Sequence, residues 1–167
     1  TDELTELPNR RAFMRRIEDE VARVQRYGSP LSLGLIDLDG FKAINDELGH
    51  AAGDEVLRCF SSNILSTFRH HDLVARYGGE EFLVVMSGAG IEETGVIAER
   101  LRSAIGNSPI DLGQAKLPVT VSIGSALSAV SADAAALIAA ADAAMYRAKS
   151  LGRNRVEAAT NQDWRLA

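Results

Sequence analysis

Cysteine is nearly missing from this 167-residue chain. The single Cys59 excludes an internal disulfide. No set of Cys and His residues has the spacing of a zinc site. A chain of this length buries about 68–70% of its unfolded surface and needs no such staple. A reducing, cytoplasmic compartment is therefore the simplest expectation. Long apolar runs are also lacking. None approaches the roughly 20 residues of a membrane span, and no signal-peptide pattern is present. Positive charge is not in excess either: 18 Lys and Arg stand against 23 Asp and Glu, for a net charge of −5. That balance argues against non-specific wrapping of nucleic acid. What is there is an ordinary globular mix, 46% hydrophobic and 25% charged, which excludes a disordered or fibrous chain. One domain is expected over residues 1–159, with a tail over 160–167. The Thr1-Asp2 start suggests a piece of a longer protein, whose parent can be membrane-anchored even though this domain is expected to make no direct membrane contact.

Periodicity supplies the elements. Asp2 to Asn9 reads as a capped turn with Pro8 at an early helix position. Phe13, Ile17, Val21 and Val24 recur at helical spacing over 10–27, and Gly28-Ser29-Pro30 ends that run. Residues 31–39 are apolar and finish in acid, which predicts a buried strand with carboxylates at its C-terminal end. Helices are predicted over 41–48, 54–68, 91–105 and 133–150, the last rich in alanine. Residues 73–77 and 82–86 read as strands joined by a hairpin turn at Gly78-Gly79. Residues 119–127 read as a strand paired with 110–117, and 155–158 as an edge strand. The order points to an α/β (α+β) sandwich with a mainly antiparallel sheet covered by helices.

Two acidic clusters carry the chemistry. Asp37-Leu38-Asp39 closes the first strand, and Glu80-Glu81 follows the glycine pair. Asp37 and Asp39 share one face of the strand, while Leu38 points into the core and keeps its carbonyl as a possible ligand. Hard cations such as Mg²⁺ take oxygen ligands, commonly one or two carboxylates plus substrate phosphates. Spacing alone leaves a solvated acidic hairpin tip as an equal alternative. The stretch Gly40-Phe41-Lys42 opens a helix, where free N–H groups suit phosphate oxygens. Asn45 and Asp54 offer a partner set for the guanine edge, and Lys149 and Arg153 are cations that can reach a triphosphate.

These residues carry a resemblance. Gly78-Gly79-Glu80-Glu81-Phe82 resembles the signature of GGDEF-domain diguanylate cyclases, with Glu at its third position. Asp2-x-Leu4-Thr5-x-Leu7-x-Asn9-Arg10, Asp37-x-Asp39-x-Phe41-Lys42-x-x-Asn45-Asp46 and Gly49-His50-x-x-Gly53-Asp54 also match, in order. Arg76-Tyr77 and Lys149-x-x-Gly152-Arg153-Asn154 extend the likeness over nearly the whole chain. The resemblance implies a palm-like core similar to nucleotidyl cyclases, a five-stranded central sheet with surrounding helices. It also implies condensation of two GTP molecules to cyclic di-GMP and two pyrophosphates across a homodimer. On that likeness, Asp37, the Leu38 carbonyl, Glu80 and Glu81 would hold Mg²⁺ (or Mn²⁺), and Glu80 would accept the proton. Asn45 and Asp54 would read guanine with His50 close by. Gly40, Phe41, Lys42, Gly78, Gly79, Lys149 and Arg153 would surround the substrate, the cations and amides holding its phosphates. Arg69 and Asp72 match an inhibitory RxxD site for cyclic di-GMP, with Arg100 as a second arginine. Glu6 stands where the family usually has Gly, a departure expected to alter how an upstream helix joins.

The remaining features have plainer readings. The alternative for the whole chain is a weakly catalytic module that binds GTP or cyclic di-GMP and signals by docking. His70 and His71 read as exposed polar residues, Cys59 as packing, and Trp164 as part of a loosely ordered tail. Asp39 reads as a turn and helix-capping residue. Arg10-Arg11 and Arg15-Arg16, beside Glu18, Asp19 and Glu20, read as a solvated helix face and not as a nucleic-acid patch.

Overall fold

A computed structural model describes residues 1–128 and 132–166; Ala167, the end of the expected tail, lies outside them. Helix α1 (Arg10–Tyr27) starts where the Asn9 side chain accepts from the Ala12 N–H at 2.9 Å, and stops at Gly28 with φ 73°. Strand β1 (Leu31–Leu38) is buried along its whole length. Helices α2 (Phe41–Leu48) and α3 (His50–Thr67) follow, then β2 (Leu73–Arg76) and β3 (Glu81–Ser87). Next come α4 (Ile91–Gly106), β4 (Ile110–Asp111), β5 (Lys116–Leu117), β6 (Val121–Leu127), α5 (Ala134–Ser150), β7 (Arg155–Ala158) and α6 (Asn161–Leu166).

The main sheet has five strands in the order β2-β3-β1-β6-β7. Every pairing is antiparallel except β6 with β7. The two-residue period of β1 divides two cores. Leu31, Leu33 and Leu35 pack with α1 and α5, whereas Ile36 and Leu38 pack with α3 and α4. Phe82 is wholly buried on the α3 side and meets Phe60 edge-on, with ring centroids 4.9 Å apart. Burial of such a ring stabilises by about 1.5–3 kcal/mol, and here it fastens the strand that follows Gly78-Gly79.

Helix α5 lies unusually close to the sheet. A Cβ built on Gly124 of β6 would stand 2.2 Å from both the Ala141 carbonyl oxygen and the Met145 amide nitrogen. Glycine on the strand and alanines 140, 141, 144 and 148 on the helix permit that approach. The helix then carries Lys149 to the end of β1.

Three expectations are corrected. Residues 110–117 do not pair with 119–127. Asp111 accepts from the Gly113 N–H at 2.8 Å, and Gly113 has φ 85°, so the segment folds on itself as the β4–β5 hairpin. Strand β6 starts only at Val121 and lies between β1 and β7. Helix α3 starts at His50, so Gly53 lies inside it and does not precede it. Trp164 is half-buried on α6 and packs against the α1–α5 core, so it is not in a loose tail. The buried Asp163 fastens α6, accepting from Arg147 and from the Thr160 N–H. Among the described residues, no helix is long and apolar enough to cross a membrane.

Candidate active site

The site is built on the end of β1. Asp37 is 6% exposed and lies opposite Glu81 in the β1–β3 register. One residue on, the Leu38 N–H donates to the Glu80 carbonyl at 3.3 Å, which draws the turn before β3 against the strand end. Lys149, from the last turn of α5, donates to Asp37 Oδ1 at 2.9 Å. The resulting cluster has more acid than base. Burial pushes the Asp37 carboxyl up to about 6; Lys149 opposes the rise, while Glu80 and Glu81 add to it. Glu81 is also raised, first by burial and then by Asp142 and Glu80. Among the described residues, no three His, Cys, Asp or Glu side chains are grouped closely enough to hold a metal by themselves. Carboxylates that repel one another, with a single lysine between them, suit a hard divalent cation whose remaining ligands come from phosphate.

The glycine turn is held from behind. The Tyr77 and Gly78 N–H groups both donate to the Glu81 carbonyl, at 2.8 and 3.2 Å. Arg76 donates to the carbonyls of Gly78 and Gly79 and, with its other arm, to both carboxylate oxygens of Asp2 at 3.2 and 3.1 Å. Burial would raise Asp2, but hydrogen bonds from Thr5 and Arg76 prevail and hold it below the ordinary carboxylate value. The N-terminal turn and the signature turn are thus one hydrogen-bonded unit. In that N-terminal turn Glu6 has φ 60°, a left-handed conformation in which glycine is free and a side chain is strained.

Beyond β1 the chain turns at Gly40, which has φ 70° and caps α2 without a side chain. The first-turn N–H groups of Phe41 and Lys42 therefore face no side-chain acceptor from the cap. Asn45 is half-buried on α2, packed against Gly53 of α3: a Cβ at Gly53 would fall 1.9 Å from Asn45 Oδ1. His50 and Asp54 are exposed on the first two turns of α3.

Asp39 does not cap α2. Its carboxylate accepts from Thr120 Oγ1 and Ser122 Oγ, both at 2.7 Å, and from the Asn154 N–H at 3.0 Å, with Lys149 at 3.8 Å. The reason is the alternation of β1, which sends Asp39 to the same side as Asp37, toward β6 and the end of α5. Arg153 sits in the turn that Asp39 holds.

Arg69 and Asp72 lie between α3 and β2, apart from this cluster. Backbone N–H groups tie the two residues together, Arg69 donating to Asp72 Oδ2 at 2.9 Å. They line a small cavity with Arg100 and with Glu93 of α4, which pairs with the Arg69 guanidinium. Sequence reasoning missed Glu93, Asp39's partners and the Asp37–Lys149 pair. Glu93 lies 24 residues from Arg69 and carries no motif, so only the packing of α4 discloses it.

An α/β palm with acidic residues at a central strand end defines a class of nucleotide-handling folds. Comparison with known proteins narrows it. The family described as "Diguanylate cyclase, GGDEF domain" matches residues 1–155, and the chain belongs to that family. It is 43% identical over 159 residues to diguanylate cyclase DgcP of Pseudomonas aeruginosa, covering 95% of this chain and 24% of that protein. It is 45% identical to the response regulator PleD of Caulobacter vibrioides, covering 93% of this chain and 35% of that protein. The chain thus spans about a quarter to a third of the length of these relatives. Among solved structures, the GGDEF domain of DgcB from Caulobacter crescentus in complex with c-di-GMP superposes with a TM-score of 0.91 at 33% identity, covering 95% of this chain and 92% of that one. The GGDEF domain of PA1120 from Pseudomonas aeruginosa superposes with 0.92 at 39% identity, covering 99% and 97%. The five-stranded sheet with its flanking helices is the palm-like fold of these domains.

Proposed function

We propose that residues 1–159 form the catalytic unit of a diguanylate cyclase, which condenses two GTP molecules, one on each of two apposed copies, to cyclic di-GMP and two pyrophosphates. The observation that carries this reading is the buried Asp37 drawn against the Glu80-Glu81 turn, with Lys149 as its counter-cation. The relative at 43% identity that carries the name diguanylate cyclase supports it.

In this reading Asp37, the Leu38 carbonyl and Glu80, with Glu81 beside them, hold Mg²⁺ or Mn²⁺. That donor set is all oxygen, carboxylates with one neutral peptide carbonyl, as suits a hard cation. The bound cation neutralises phosphate charge and stabilises the transferring phosphoryl group. The rest is done by the chain. The amides of Gly40, Phe41 and Lys42, with Lys149 and Arg153, bind the β- and γ-phosphates. Gly78 and Gly79 let the substrate approach the turn closely. Asn45 and Asp54 orient guanine, with His50 at the rim. Glu80 accepts the proton of the ribose 3′-hydroxyl as its oxygen bonds to the α-phosphorus of the opposite GTP. The α–β phosphoanhydride bond breaks, and pyrophosphate leaves with the electron pair. Arg69, Asp72 and Arg100 form a product-binding inhibitory site. The solved DgcB domain holds c-di-GMP, which makes product a reasonable ligand here as well.

The test is direct. The purified protein is incubated with GTP and Mg²⁺, and nucleotides are separated chromatographically. Cyclic di-GMP should accumulate, and Asp37→Asn and Glu80→Gln should each abolish it. Bound but unconsumed GTP at high protein concentration would overturn the enzyme reading in favour of a binding module. Arg69→Ala should relieve inhibition by added product; unchanged inhibition would remove the regulatory site.

A further inference from the structure

We propose that Asp39 is the positioning residue for the phosphate-binding cations, because it ties the turn that carries Arg153 to the same strand end that carries Asp37. The proposal rests on the cyclase reading for the role of Arg153 and Lys149, and adds what holds them in place.

The Asp39 side chain is only 6% exposed, yet it is fully engaged. Its backbone N–H donates to the Thr120 carbonyl at 2.9 Å, which carries the β1–β6 ladder one step beyond Leu38 and Val121. Two hydroxyls from the start of β6, Thr120 and Ser122, donate one to each carboxylate oxygen. The carboxylate is therefore fixed to two strands and cannot rotate without breaking short hydrogen bonds. The Asn154 N–H donates to Oδ2, and Lys149 stands 3.8 Å from Oδ1.

The turn that receives this anchor is strained. It runs from the end of α5 to β7. The Gly152 N–H donates to the Lys149 carbonyl at 3.3 Å, and the Arg153 N–H to the Ala148 carbonyl at 3.0 Å. Arg153 and Asn154 both lie in the left-handed region, at φ 65° and 46°. Asparagine tolerates that conformation, whereas an arginine is strained in it. The last N–H of the turn, on Asn154, is bonded to Asp39. The Asn154 side chain is held separately, its Oδ1 accepting from Arg102 Nη1 at 2.8 Å, and β7 pairs with β6 from Arg155 onward. Asp39 fixes the backbone between these restraints, so its loss lets the Arg153–Asn154 peptide turn and the Arg153 side chain move with it. Lys149, at the start of the same turn, is shared between Asp37 and Asp39, so one strand sets the metal carboxylate, the lysine and the arginine together.

Equilibrium binding of a non-hydrolysable GTP analogue and of GMP separates positioning from general support. GMP lacks the phosphates that Arg153 and Lys149 would grip. Asp39→Asn should lower the preference for the GTP analogue over GMP about tenfold, the size of one lost charge-assisted hydrogen bond, and leave GMP affinity within about twofold. Arg153→Ala should lower the same ratio, and adding Asp39→Asn to it should change the ratio little further. If Asp39→Asn does not fold, Thr120→Val with Ser122→Ala loosens the carboxylate while retaining it, and should move the ratio the same way. A ratio unchanged in these variants, or affinities for both nucleotides falling together, would overturn the proposal. A wild-type chain with no preference for the GTP analogue over GMP would instead overturn the cyclase reading beneath it.

Discussion

Asp37 and Gly53 show how single residues set the site. The folded-state value of Asp37, about 6, lies above its ordinary 3.8, so the native state holds the extra proton between those limits. This group therefore favours the fold below about pH 4, and the contribution is lost as pH rises through about 6. Denaturant titrations of the wild type and Asp37→Asn at about pH 4.5 and 7.5 should show the wild type losing ground against the variant at the higher pH. Added Mg²⁺ should reverse that trend in the wild type alone, because the cation binds the ionised carboxylate. A pH-independent difference would mean that Lys149 neutralises Asp37 completely. Gly53 acts through space and not through a charge. Gly53→Ala should push the Asn45 amide off its position, raise the KM for GTP roughly five- to tenfold and weaken selectivity over ATP, since about 1 kcal/mol of a base contact is lost. In an Asn45→Ala background the same substitution should have little further effect. Steady-state kinetics with the two nucleotides checks both outcomes.

At the scale of elements, the contact between α5 and β6 decides where Lys149 stands. Gly124→Ala would place a methyl group against helix backbone, which no rotamer can relieve. Overpacking of this kind costs about 1–3 kcal/mol, so the urea midpoint should fall with the slope unchanged. Because α5 must lift away from the sheet, nucleotide affinity should fall in parallel. Retained stability and affinity would show that the helix slides without consequence. The Asp2–Arg76 contact works on the other edge of the site, joining the N-terminal turn to the glycine turn. The strained Glu6 stands in that same turn.

Over the whole molecule, the proposed site of one chain would take one nucleotide, whereas the proposed product needs two. Activity per molecule should therefore rise with protein concentration, and total rate should approach the square of concentration on dilution. A rate strictly proportional to concentration down to the lowest detectable level would show either a tight dimer, visible by sedimentation, or a reaction that one copy completes.

Much of this architecture is legible in the sequence. The helical stripe of α1, the buried run of β1 ending in Asp37 and the glycine pair before Phe82 were read from period and punctuation, because local backbone preference and a single buried face fix them. The likeness spread over five motifs, along nearly the whole chain, indicates the family. Pairing was less legible. Residues 110–117 and 119–127 are both apolar enough to be strands, and only the Asp111–Gly113 turn, together with the competing claim of β1 on β6, determined their partners. Three relations could not be read from sequence: Asp39 with Asn154, Glu93 with Arg69, and Lys149 with Asp37. These pairs are separated by 115, 24 and 112 residues. Sequence by itself determined which residues carry charge and which face of each element is apolar, since those follow from chemistry and short-range period. Only the tertiary structure decided which charges meet, because electrostatic pairing depends on distances that the folding of distant segments creates.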